Sequence, residues 1–301
     1  MGKNFGLFLL ATLFFAMAAT SATAVEGLSP YLKVGVINSP ADDAAQKSSD
    51  ALKAGGFVVI GQYHPEGKPH FVIVAYTRKD LQDLTAKITD RGLLAAVLKV
   101  GIKEDGGKST VSMVNPEYLF RAYLMKNFEP SRDALLKISA DAKQSLRGVG
   151  AAEFAPFGGT MSPKELQHYH YMLGMEYFDD PVVLKKFRSF EEGMQTITKN
   201  LSGGKGNASL VYSLIDEGSK TAVFGVGLGD QKTGEPFFLP VIGEDHLAAM
   251  PYEIILSGDT ATMLHGRYRI ALHWPSLTMT TFTKIISTPG DIEKSMRSLT
   301  E

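Results

Sequence analysis

Two short runs of this chain hold the side chains best suited to chemistry. Residues 166–178 read Leu-Gln-His-Tyr-His-Tyr-Met-Leu-Gly-Met-Glu-Tyr-Phe, and helical spacing would group His168, Met172 and Met175 on one face. Thioether sulfur is soft and favours Cu(I), and imidazole suits copper or zinc, so that face is a candidate copper site. The competing role is packing, with methionines against aromatic rings and histidines bonded at the edges of a buried helix. On a strand the shared face would instead carry His168, His170 and Met172. The second run, Arg-Tyr-Arg-Ile-Ala-Leu-His-Trp over 267–274, contains the single tryptophan. Strand alternation there would align Arg267, Arg269 and His273 as a seat for a carboxylate or other anion, or as a polar solvent face. Between the two runs, Glu244-Asp245-His246 offers an acid, a base or ligands before a short helix, with Asp245 equally suited to capping.

Other patterns fail on spacing. Gly106-Gly-Lys-Ser-Thr110 has the ending of a phosphate loop, but its earlier glycine would have to stand at Ile102, so it reads as a hairpin turn. Gly225-Val-Gly-Leu-Gly229 places its third glycine one residue too early for a dinucleotide loop, and it reads as strand. The chain lacks both the Gly-x-Ser-x-Gly elbow and the His-Glu-x-x-His helix. With no cysteine, disulfides, thiolate metal sites, thiol nucleophiles and c-type haem attachment are excluded together. A net charge of -1 at pH 7 gives no field that would favour nucleic acid.

The elements that must position these residues begin after an export signal. Lys3, the apolar stretch 5–19 and the small residues Ala22-Thr-Ala24 predict cleavage before Val25 and a periplasmic or secreted product. Its removal leaves 277 residues, with no later apolar run of membrane-spanning length. Helical spacing is expected over 41–53, 80–89, 116–125 and 131–147, with strands over 57–63, 71–77, 94–102 and 110–114. A glycine and proline cluster marks 148–162 as a linker between a first domain, 25–147, and a second, 163–301. In the second, Ser162-Pro-Lys-Glu165 is a capping-box start for the helix of His168. Strands are then expected over 210–215, 222–228, 236–242, 253–256 and 268–274, with helices over 190–201 and 291–299. Both halves run helix, strands, helix, strands, so the fold class is α+β: two similar helix-and-antiparallel-sheet domains, suggestive of duplication.

The segment Val114-Asn-Pro-Glu-Tyr-Leu-Phe-Arg121-Ala122 resembles a bacterial α+β family catalogued as a domain of unknown function, in which Asn-Pro opens a helix carrying Arg-Ala. The resemblance implies a strand-and-helix sandwich for the first half. Members of that family tend to carry Cys where this chain has Val114, so no thiol role transfers. The expectation is an exported soluble protein that binds a small molecule between its domains. Its alternatives are a periplasmic copper-binding protein using His and Met ligands, an exported hydrolase using His246 or His273, and a structural partner in an envelope complex.

Overall fold

The computed structural model describes residues 27–88, 91–169 and 173–301, so the expected signal lies outside the described residues. The chain runs through β1 (Tyr31–Ile37), α1 (Ala41–Ala54), β2 (Val58–Tyr63), β3 (Phe71–Thr77), α2 (Lys79–Thr85), β4 (Leu98–Asp105), β5 (Lys108–Val114), α3 (Pro116–Leu124) and α4 (Arg132–Leu146). It continues through β6 (Ala155–Phe157), α5 (Pro163–Leu166), β7 (Val182–Lys186), α6 (Phe190–Ser202), β8 (Ala208–Asp216), β9 (Thr221–Leu228), α7 (Glu235–Ile242), β10 (Tyr252–Ser257), β11 (Thr260–Met263), α8 (Gly266–His273), α9 (Met279–Phe282) and α10 (Thr288–Leu299). This is a mixed α+β fold with two antiparallel sheets, ordered β2-β3-β4-β5-β1-β6 and β7-β11-β10-β9-β8.

Local sequence explains the regular parts. Helix α1 carries Asp42 and Asp43 in its first turn and Lys53 in its last, matching the helix dipole, and buries Ala41, Ala44, Ala45, Ser48 and Leu52 along one stripe. Strand β3, Phe-Val-Ile-Val-Ala-Tyr-Thr, is buried on both faces and accordingly apolar up to its final Thr77. Gly106 and Gly107 turn the β4–β5 hairpin with φ of 56° and 78°, conformations that glycine adopts without a Cβ penalty.

The two sheets follow the same path. Without β6, the first is ordered β2-β3-β4-β5-β1 and the second β8-β9-β10-β11-β7, each with its outermost strand first in the chain and a helix between that strand and the next. Their irregularities coincide as well. Register shifts fall at Lys33/Gly35 in β1 and, opposite β7, at Ala261/Thr262, whose partners are Lys185 and Val183. They fall again at Val59/Gly61 in β2 and Leu210/Tyr212 in β8. The 3-10 segment before the third strand of each hairpin pair carries the same Leu-Ala-Ala, at 94–96 and 247–249.

Neither half closes a core of its own. One apolar cluster adds Val211, Tyr212, Leu214 and Ile255 to the first half's interior, and the other adds Tyr31, Phe71 and Ile73 to the second's. The closest approach joins corresponding strands: a Cβ on Gly61 of β2 would stand 2.2 Å from the Val211 carbonyl oxygen of β8. Glycine is required there because two backbones meet.

Several expectations are corrected. Residues 236–242 and 268–274 are helices α7 and α8, not strands. Both runs are so uniformly apolar or buried that alternation carries no signal, and Pro236 in the first turn of α7 is compatible with the helix. The capping box at Ser162 forms, with Glu165 N–H donating to Ser162 Oγ at 3.2 Å, yet α5 stops after a single turn. Leu166 is its one buried residue and Leu173, on the expected apolar face, is 96 % exposed, so a continuous buried stripe that would sustain a longer helix is missing. The expected linker also contributes structure: β6 pairs with β1, and Leu28 bridges Met161.

Candidate functional site

Each sheet has one face under its helices and a second turned toward the other half. On the first sheet that second face carries Lys99, Gly101 and Lys103 of β4 beside Ser112 and Thr110 of β5, because alternate residues of a strand point the same way. Near Lys99 the second half covers it completely. Lys99 Nζ donates to Glu253 of β10, and Arg269 Nε of α8 donates to the other carboxylate oxygen at 3.2 Å. Arg269 Nη2 also donates to the carbonyls of Ala249 and Pro251, at 2.5 and 2.7 Å, and its guanidinium lies 3.8 Å from the Tyr252 ring centre. All three charged side chains are buried. Burial favours the neutral Glu253 acid, but Arg269 and then Lys99 outweigh it and hold the carboxyl below its ordinary value. Burial, reinforced by Arg269, lowers Lys99.

Beside this cluster, His273 lies one helical turn after Arg269, fully buried. Tyr31 O–H donates to the His273 carbonyl at 3.1 Å and so receives its second bond, at 3.0 Å, from Nδ1–H; Nε2 then accepts from Tyr123 O–H at 3.0 Å. Burial, with Arg269 and Lys99 nearby, keeps the ring neutral. His246 packs against Tyr31, Phe157 and Trp274, and burial pulls it down to about 4. Neither imidazole is paired with a carboxylate among the described residues, so neither has the orienting acid of a hydrolytic triad.

Farther along the same sheet face the cover is incomplete. A groove of about 460 Å³ runs between β4, β5 and β1 on one side and the 3-10 segment Glu244–Ala249 on the other, closed at one end by Phe157 of β6. Lys33, Lys103, Thr110 and Ser112 line the sheet side, and Glu244 and Asp245 the opposite wall. Lys103 Nζ lies 3.0 Å from Asp245 and 3.4 Å from Glu244, and Lys33 Nζ 3.6 Å from Glu153, so the groove carries both signs of charge with hydroxyls between them. Its volume lies within the range of small-ligand sites, roughly 300–1,000 Å³.

The residues singled out in the sequence scatter. Arg269 and His273 do share a face, but a helical one buried in the interface, while Arg267 is half exposed on another side of α8. His168 follows the end of α5, Met175 lines a separate apolar hollow, and Met172 and His170 lie outside the described residues. Among the described residues no cluster of three His, Cys, Asp or Glu could hold a metal ion. Lys99, Glu253, Tyr31 and Tyr123 were missed, although a lone Lys in Val-Leu-Lys-Val and a lone Glu in Tyr-Glu-Ile-Ile were legible as charges inside buried strands.

Fold and groove define a mixed α+β protein of two antiparallel sheets joined through a buried polar centre. No protein-family model and no curated protein matches the chain. Among solved structures it bears a weak resemblance to an uncharacterized conserved protein, DUF302, from Bacillus stearothermophilus. The similarity covers 40 % of this chain and 98 % of that one, at 15 % identity and a TM-score of 0.35. No helix among the described residues is long and apolar enough to cross a membrane.

Proposed function

We propose that the chain is an exported binding protein whose ligand is a small polar molecule seated in the groove between its two halves. The groove itself carries this reading: it is formed only where the second half meets the bare face of the first sheet, and two amines, carboxylates and hydroxyls converge on it. That set suits a compact zwitterion or hydroxylated ion, each charge of which would replace part of an existing Lys–carboxylate pair. The matching strand orders and register shifts support duplication as the origin of the halves. Binding is favoured over hydrolysis because His273 is buried and His246 half-buried with both ring nitrogens shielded, both are neutral, and neither has a carboxylate partner among the described residues.

The test uses protein isolated from its own host without an affinity tag, as wild type and as Thr110→Trp, which fills the groove from its rim. N-terminal sequencing is expected to give Val25, and native mass spectrometry a retained small polar molecule that the variant lacks. Met1 at the N-terminus would refute export. The same bound complement in both proteins, or none in either, would refute the groove.

A further inference from the structure

A second concavity, separate from the groove, lies on the other side of α8. Arg267, Ile270 and Trp274, at positions i, i+3 and i+7, form one face of that helix and the floor of a hollow of about 200 Å³; Met175, Met279 and Phe282 form its walls. The opposite face of α8 holds Arg269 and His273 in the interface, so this helix is committed on both sides. We propose that the hollow is a binding site for a small apolar carboxylate, an acid with a short alkyl chain or a single ring.

Size, lining and charge each contribute. An apolar cavity of roughly 150 Å³ accepts a benzene-sized guest, so about 200 Å³ admits one ring or a short chain. Methionine walls adapt to guests of different shape. Arg267 is the one charged lining residue, its side chain 51 % exposed at the rim. Its Nη1 stands 3.7 Å from Glu176, which in turn lies 3.3 Å from His265 Nε2. The Nε and Nη2 edge has no hydrogen-bond acceptor among the described residues, and that edge is the fork that grips a carboxylate through two parallel bonds. A guest with its tail among Ile270, Trp274 and Phe282 would present its acid to that edge.

Trp274 is the single tryptophan of the chain and lines the hollow, so its emission reports occupancy directly. The full-length protein is titrated with hexanoate, hexanol and hexylamine. Hexanoate is expected to change the emission saturably and to bind at least about ten-fold more tightly than hexanol, with hexylamine weakest. Arg267→Met should bring hexanoate to the level of hexanol, and Arg267→Lys should restore part of the difference; the Arg267 side chain is exposed enough for both variants to fold. Thr110→Trp should leave the titration unchanged. No saturable response to hexanoate would overturn the site, equal affinity for acid and alcohol would overturn the role of Arg267, and loss of the response in Thr110→Trp would overturn its independence from the groove.

Discussion

Replacing Glu235 by Gln isolates one titrating group at the junction of the two halves. Glu235, in the second half, is fully buried; its carboxylate accepts from Tyr63 O–H at 2.9 Å and Glu66 N–H at 3.3 Å, both in the first half, and from Leu228 N–H at 3.2 Å. Beyond them lie the Glu66 carboxyl, buried and 2.6 Å from Lys68 Nζ, and Glu244, 3.3 Å from the same amine. Burial raises Glu235 from an ordinary 4.5 to about 7, despite the three donors that favour the anion. The folded protein therefore keeps a proton at pH values where the unfolded chain has lost it. Its contribution to stability is full below about 4.5 and disappears as the pH rises through about 7. At about 1.4 kcal/mol per pH unit the whole effect is roughly 3–4 kcal/mol, most of which falls between pH 5 and pH 8. Urea unfolding of wild type and Glu235→Gln at both pH values measures it. Other titrating groups, Glu66 included, are common to both proteins and largely cancel in the difference. Wild type is expected to lose roughly 2–3 kcal/mol relative to the variant on going from pH 5 to pH 8. A difference that stays constant, or one that moves in favour of wild type between pH 5 and pH 8, would refute the assignment.

Two further substitutions test the interface. Glu253→Ala leaves Arg269 and Lys99 buried without their counter-charge and is expected to cost roughly 3–5 kcal/mol of unfolding free energy; a loss below about 1 kcal/mol would mean that water reaches the cluster. Gly61→Ala forces a methyl group to within 2.2 Å of the Val211 carbonyl, so β2 and β8 must separate, at a cost of about 1–3 kcal/mol in chemical denaturation. Unchanged stability there would show that the two strands do not touch in solution.

How much was legible divides along physical lines. Strands β3, β5, β8 and β9 and helices α1, α3, α4, α6 and α10 were readable because each is amphipathic or apolar over its own length and bounded by glycine, proline or capping residues. Helices α7 and α8 read as strands in the sequence for different reasons: α7 is apolar on its partly exposed side as well as its buried one, and α8 is buried nearly all round, so neither displays a helical polarity pattern. The capping box at Ser162 was read correctly and its helix overextended. A cap supplies about 1 kcal/mol of local stability, whereas the length of a helix depends on what it packs against.

The sequence by itself determined the α+β class, the absence of thiol chemistry and the turn nature of Gly106–Gly107, because these depend on composition and on neighbours along the chain. Only the tertiary structure decided where the charged residues went. Lys99 and Glu253 are 154 positions apart and Tyr31 and His273 are 242 apart, and no local pattern encodes such pairings. They arise because each sheet leaves a bare face that only the other half can cover. The polar groups buried in that closure must find partners within it, and the groove remains where the cover stops short.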